Sequence, residues 1–549
     1  MLLSVGAIIS PGVVAIKTLI LIVLIAIGLR VVGLTFDSLW LDEGYQTVVE
    51  SYGNDLPDLT NSKAAEFLFN PGIPAGLHQV LSNFRNVDPL CPPLFAVLMN
   101  RWLTIFGGSD LAIRSFAAVI SVLSVVVLYF LGCALFGRRV AAFAALMQAM
   151  SPFDIAYAQE ARMYALVVLL ATVSCGSFVL MLCSRQSVKT AFLAIAYILS
   201  TWALVNTHYT GLFIWAFQLS IGFLLTFVRK DWLSLAWLAA SNLAIAIICL
   251  PWYPLFCEAA AIRTASFYVA RSSSMWWPIW ALIIKIPSNW VYFLAGKHVM
   301  SWASPIYPVA VAILFLGFKS LCSQFDKLIR ELLAHSEAQR QTNDSATLDI
   351  EMAVRDRVDR AFLLLCWCLL PALFVWLVDT IESHRVIEIP RYVIGTEPAI
   401  MLIAGMGIAS ALKKGKFGWA LVVGYAIFAL ANTTYAHIVL QREDWRGTAA
   451  LVSKVCKPEE PLFVSQYYDI VCLDRYLNRP VRQIGVSSSI GKENLIQLLN
   501  NNACASGTLW VLTAQEGDGV FAMIPDSYQV IDQYDLHHAL HLRHYLRMR

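Results

Sequence analysis

The chain has 549 residues, of which 58% are hydrophobic and 14% charged, and a mean hydropathy of +0.64. About a quarter of the residues of a soluble domain are charged, so this composition excludes an ordinary soluble protein and points to a polytopic membrane protein. The formal net charge of +3 is too small to attract nucleic acid, which is excluded as a partner.

A membrane-crossing helix takes about 20 mostly apolar residues. In chain order the candidates are 12–34, 111–136, 139–157, 163–183, 190–207, 210–228, 233–253, 303–321, 361–378, 392–411 and 417–437, about eleven in all. The first lacks a small-residue cleavage site and is expected to stay as an uncleaved span. The apolar stretches 93–106 and 276–295 are short, or studded with Trp and Pro, and are expected to lie at the interface as juxtamembrane helices.

The connections "GRR" (137–139), "SRQSVK" (184–189), "VRKD" (228–231) and "KKGK" (413–416) are basic, and so is the long loop 319–360. All fall on one side with this list of spans, and the positive-inside rule makes that side cytoplasmic. Residues 35–110, 254–302, 379–391 and everything after about 438 then face outward. The expected organisation is a transmembrane domain over 1–437, with a large outer loop at 35–110, and a small outer α/β domain over 438–549. In that domain "PLFVSQ" (461–466), "VRQIGV" (481–486) and "TLWVLTA" (508–514) have strand character, while "DIVCLDRYL" and "GKENLIQLLNNNA" have helical spacing.

Ionisable groups near membrane depth are costly and tend to be functional. Four sets occupy the outward face. Asp42 and Glu43 follow the first span in "SLWLDEGYQTVVE". The run "SPFDIAYAQEARMYAL" offers Asp154, Glu160, Arg162 and Tyr164. "NTHYTGLF" offers His208 and Tyr209, and "SHRVIEIPRYVIG" offers His384, Arg385, Arg391 and Tyr392. Acids from two loops and an arginine from a third suit a substrate with an anionic head and an apolar tail. Each also has a plainer role: Asp42 as a helix N-cap with Glu43 in the first turn, His208 as an interfacial histidine, Arg391 as a snorkelling anchor.

Most of the twelve cysteines lie in apolar runs, and no CxxC pair suggests a metal or redox centre. Cys456, Cys472 and Cys504 fall in the outer domain, where disulfides are permitted; Cys456–Cys472 is the first pair to test, with free thiols as the alternative.

Taken in order, "LWLDEGYQ", "PPLF", "YAQEARMYAL", "THYTGLF", "PRYVIGTEPA" and "EDWRGTAALV" resemble the GT-C membrane glycosyltransferases. The likeness is greatest to the bacterial branch related to protein O-mannosyltransferases, lipid A aminoarabinose transferases and galacturonosyl transferases. The resemblance implies a multi-pass protein of the bacterial inner membrane whose active site and C-terminus face the periplasm. It implies an inverting transferase that moves a sugar from a polyprenyl-phosphate donor to a lipid, glycan or protein acceptor. On this resemblance Asp42 is the general base and Glu43 its neighbour. Glu160 matches the acid after the third span, and Arg391 an arginine for the donor phosphate, with Arg162, Tyr164, His208, Tyr209 and Tyr392 as further binding residues. No cofactor is required by this chemistry; a divalent metal is used by some relatives and is not indicated here. Relatives commonly place His or Lys before the double proline, where this chain has Cys91, with His78 and Asp88 as nearby substitutes. A multispanning transporter or lipid flippase is the alternative reading, against which stand the lack of an internal repeat and the one-sided placement of the polar groups.

Overall fold

The computed structural model describes residues 13–53, 74–86, 91–184, 186–265, 274–296, 305–342, 345–487, 490–502, 504, 507–514, 519–537 and 540–548. They divide into two compact units. The first comprises residues up to Val32, Pro89–Phe95 and Ala117–Tyr435; the second comprises Gly33–Asp88, Ala96–Phe116 and Ala436–Arg549. The first outer loop therefore belongs with the C-terminal segment rather than with the membrane helices.

The first unit is a helical bundle. Its helices are α1 (Val13–Val31), α2 (Asp110–Phe136, which begins in the second unit), α3 (Arg138–Met150), α4 (Pro152–Ala158), α5 (Tyr164–Leu182), α6 (Ser187–Val205), α7 (Gly211–Val228), α8 (Trp232–Cys249), α9 (Trp277–Ala295), α10 (Ile306–Thr342), α11 (Ser345–Glu382), α12 (Glu397–Ala411) and α13 (Lys416–Ala436). Among the described residues ten helices are long and apolar enough to cross a membrane, or eleven if α3 and α4, bent by 59°, form one span. The bend sits where "SP" interrupts an apolar run. Ser151 caps α4 by accepting from Asp154 N at 3.1 Å, and Pro152 occupies its first turn.

The span built on α12 is the centre of the bundle, 94% buried where most others are near one-third. Small residues allow this. A Cβ on Gly407 would lie 2.2 Å from Ile313 O in α10, and one on Gly317 2.2 Å from Ile403 O, so the two backbones touch. The connection at 319–360, expected to be mostly an amphipathic helix and linker, is mostly helix: α10 and α11 continue as 37- and 38-residue helices beyond their apolar stretches.

By length and composition α9, foreseen as an interfacial element, could cross a membrane. Its packing places both halves beside the junction after α11 and the second also beside the bend before α4: Trp277 Nε1 donates to Glu388 Oε1 at 3.3 Å, Asn289 donates to Ile387 O at 2.9 Å, and Phe293 O accepts from Ser151 Oγ at 2.6 Å.

In the second unit a five-stranded sheet has the order β2-β1-β3-β5-β4, with β1 Leu462–Ser465, β2 Gln483–Val486, β3 Thr508–Thr513, β4 Tyr528–Asp535 and β5 His541–Arg547. The first three strands are parallel, and β5 and β4 are antiparallel. Helices α14 (Trp445–Val455), α15 (Ile470–Tyr476) and α16 (Lys492–Asn502) flank the sheet. The strands and helices read from sequence are present; the β4–β5 hairpin is an addition. One apolar core of this unit joins Val48 and Val49 of the first loop to Trp445, Val452, Ile470 and Leu512.

Candidate active site

The acid pair lies in the second unit. A short helix, Leu41–Gly44, starts after Trp40 and runs into a wider turn over Tyr45–Ser51. Asp42 is thus inside the first turn and half-buried rather than at the cap. Glu43 is fully buried and held in a two-pronged ion pair: Arg114 Nε donates to Oε1 at 2.9 Å and Nη2 to Oε2 at 2.6 Å. The remaining guanidinium hydrogens reach Leu34 O at 3.2 Å, Asp37 O at 2.7 Å and Ser38 O at 3.0 Å. One buried cation therefore shapes the segment leading to Asp42 and neutralises its neighbour. Burial raises the Asp37 carboxyl above its ordinary value, against the lowering effect of a 3.1 Å bond from Gln441 N and of nearby arginines.

The other predicted residues lie in the first unit, and most are gathered at the ends of α5, α6 and α11. The guanidinium of Arg391 stands 5.6 Å from the Tyr164 ring and 5.7 Å from the Tyr392 ring. His208 lies between the same two tyrosines, its ring 6.0 Å from Tyr164 and 5.9 Å from Tyr392, and its Nδ1 is 2.7 Å from Thr210 Oγ1. Arg162, Arg391 and Glu160 are all close enough to act electrostatically on the Tyr164 hydroxyl. Glu160 is buried and Arg162 half-buried. Tyr209 goes elsewhere, packing edge-on against Phe256 at 5.5 Å. Beside the group is a small crevice of about 10 Å³, lined by Val167, Phe213, Ile214, Pro371, Val375 and Tyr392 among others.

Arg385 pairs with Glu388, and His384 is buried in the same junction. Cys91 is half-buried in the first unit; His78 is exposed in the second, and Asp88 lies outside the described residues. All twelve cysteines are free thiols, so Cys456, Cys472 and Cys504 are not bridged. Among the described residues no group of three or more His, Cys, Asp or Glu is arranged to hold a metal ion.

Sequence reasoning missed two charged sets. One is Arg114. The other is in the first unit, where Arg30, fully buried, donates to Ser121 Oγ at 2.8 Å, Ala149 O at 2.9 Å and Gln148 O at 3.3 Å. Gln148 in turn donates to Glu397 Oε2 at 3.3 Å, and Asp154 is buried within electrostatic range of both Arg30 and Glu397. The signal was available: Arg30, Arg114 and Glu397 are charges inside apolar spans.

Residues 91–254 match the model of the dolichyl-phosphate-mannose-protein mannosyltransferase family. Sequence comparison with curated proteins finds no match. Among solved structures, ArnT from Cupriavidus metallidurans in the apo state is 15% identical with a TM-score of 0.60, covering 97% of this chain and 98% of that one. The same protein bound to undecaprenyl phosphate matches with a TM-score of 0.53 at 15% identity, over 96% and 97% of the two chains. The apo oligosaccharyltransferase of Archaeoglobus fulgidus is 12% identical with a TM-score of 0.54, over 93% of this chain and 71% of that one. The chain has the GT-C fold of the membrane glycosyltransferases.

Proposed function

We propose that this protein is an inverting glycosyltransferase that takes a sugar from a polyprenyl-phosphate donor and transfers it to a lipid, glycan or protein hydroxyl on the extracytoplasmic face of a bacterial inner membrane. The observation that carries the reading is the grouping of Arg391, Arg162, His208 and two tyrosines beside a mostly apolar lining at one end of the bundle. A polyprenyl phosphate has that duality, an anionic head and an isoprenoid tail. The likeness to ArnT, solved bound to undecaprenyl phosphate, supports the same donor class.

In this reading Arg391 and Arg162 bind the donor phosphate and stabilise the charge that grows on it as the glycosidic bond breaks. Polyprenyl phosphate leaves as a competent anion, so no general acid is needed. The acceptor hydroxyl needs its proton removed as it attacks the anomeric carbon, a task for a carboxylate. The half-buried Asp42 is taken as the base, and Glu43, with both oxygens on Arg114, as its support. A single displacement inverts the anomeric centre. Glu160, His208, Tyr164 and Tyr392 line the donor side, and Tyr209 holds Phe256 instead.

The test is turnover of a panel of undecaprenyl-phosphate sugars by purified wild type and Asp42→Asn. Loss of about 10²–10⁴-fold in kcat is expected for the variant, the usual worth of a positioned base. Undiminished turnover would remove Asp42 from the mechanism. Absence of turnover with protein-dependent movement of lipid across vesicles would favour a transporter instead.

A further inference from the structure

The motif "EDWRG" and the arginine–tyrosine pair that ends α15 take no part in the chemistry above. Both grip the short segment that leads into the acid-bearing helix. Residues 36–39 are held one after another. Arg446 donates to Phe36 O at 3.3 Å and Asp37 O at 3.2 Å. Asp37 Oδ1 accepts from Gln441 N at 3.1 Å. Ser38 Oγ donates to Glu443 O at 2.6 Å and accepts from Trp445 N at 3.0 Å. Leu39 N donates to the Tyr476 hydroxyl at 2.9 Å.

These contacts converge on Asp110. Its Oδ2 accepts from the Tyr476 hydroxyl at 2.7 Å and Arg446 Nη2 at 2.8 Å, and its Oδ1 from Arg475 Nη2 at 2.7 Å and Nε at 3.0 Å. Asp110 starts the helix that carries Arg114 one turn later, so the anchor of Glu43 and the grip on 36–39 share one base. Burial, reinforced by Asp110, pushes the Tyr476 phenol well above its ordinary value, so it stays protonated and bridges Leu39 N–H to Asp110 at any working pH. Apolar packing of Val48 and Val49 already holds the first loop in this unit; the polar bonds fix its register.

We propose that the C-terminal domain is a positioning element of the catalytic site, with Tyr476 and Ser38 as the positioning residues that fix the segment before Asp42. This rests on Asp42 being the base. A base displaced by about 1 Å can cost 10²-fold in rate, and only two residues separate Leu39 from Asp42.

The test uses full-length protein in detergent micelles and compares wild type, Tyr476→Phe, Ser38→Ala, Ser38→Thr and Asp42→Asn. Tyr476→Phe removes one oxygen and keeps the ring. Amide exchange across 34–45 is expected to quicken about tenfold in Tyr476→Phe and Ser38→Ala. For turnover of undecaprenyl-phosphate sugars, kcat should fall about 10- to 100-fold while Tm and the Kd for undecaprenyl phosphate stay put. Ser38→Thr, which keeps the hydroxyl, should recover most of the rate. Unchanged exchange over 34–45 would overturn the proposal even if no donor is ever turned over. So would a wild-type kcat in Tyr476→Phe, or a kcat lost only in step with Tm. If Asp42→Asn is inactive and Tyr476→Phe is normal, the positioning role alone fails. If Asp42→Asn is fully active, the assignment of the base fails and this role with it.

Discussion

At the scale of single residues, two adjacent acids with the same charge have opposite fates because of one partner. Glu43 and Arg114 are both nearly solvent-free and satisfy each other through two hydrogen bonds. A buried pair of this kind adds little relative to an apolar substitute, but breaking it strands a charge at a cost of about 3–5 kcal/mol. Glu43→Gln should therefore lower Tm by several degrees and reduce the yield of folded protein. Glu43→Gln combined with Arg114→Met should recover much of that loss, since no unpaired charge remains. Asp42→Asn should leave Tm nearly unchanged while reducing turnover. Thermal unfolding of these proteins and of Arg114→Met alone, in one detergent, checks this, and additive losses in the double variant would refute the pairing argument. The acid pair itself was legible in the sequence, since two carboxylates at a membrane exit are unusual. Its division of labour was not, because Arg114 is 71 positions away and looked like part of a span.

At the scale of elements, what could be read depended on periodicity. β1 to β3 are continuous apolar runs flanked by helices and were visible; β4 is exposed along most of its length, reads "YQVIDQYD", and gives no alternating signal. The bend between α3 and α4 was hidden for another reason: its stabilisation is tertiary. Arg30 of α1 donates to the carbonyls of Gln148 and Ala149 at the end of α3, and Gln159 in turn donates to Arg30 O at 3.1 Å and Val32 O at 2.7 Å. The sheet has a comparable polar anchor in Glu460. Burial alone would raise its carboxyl, but bonds from Lys457 N (3.0 Å), Trp510 Nε1 (2.9 Å) and Thr508 Oγ1 (2.7 Å), with His544 nearby, hold it below the ordinary glutamate value. The folded value lies below the unfolded one of about 4.3. The stabilisation is then complete above that pH and is lost as pH falls through the folded value. Glu460→Gln should cost about 2 kcal/mol near pH 7, the worth of hydrogen bonds to a charged acceptor. The gap between wild type and variant should close on acidification below about pH 4. A gap that stays constant in Tm from pH 7 to pH 3.5 would show that the charge is not what matters.

At the scale of the molecule, the span list was mostly legible because apolar length is a strong signal, yet composition alone miscounts it. By length α9 qualifies as a crossing. A contact inside the bundle argues against it. His208 lies between α6 and α7, and Tyr392 lies between α11 and α12; their rings are 5.9 Å apart, so both are at the same membrane face. Between them the chain passes through α7, α8, α10 and α11, an even number of crossings that returns it to its starting face. Adding α9 would make the number odd and part the two residues by a bilayer. The same parity puts the junctions at 137, 184–186, 229–231 and 412–415 on the opposite face from His208. Those junctions hold or adjoin Arg138, Arg139, Arg185, Lys189, Arg229, Lys230, Lys413, Lys414 and Lys416, so the positive-inside rule predicts that they are cytoplasmic. Paired fusions, one reporter fluorescent only in the cytoplasm and one enzymatic only outside it, can check this after Lys230, after Gly415 and at the C-terminus. The fusion after Lys230 should be cytoplasmic whichever role α9 has, which sets the orientation. The fusion after Gly415 should then also be cytoplasmic and the C-terminal one external. If α9 crossed the membrane, those last two would exchange sides while the first stayed where it is.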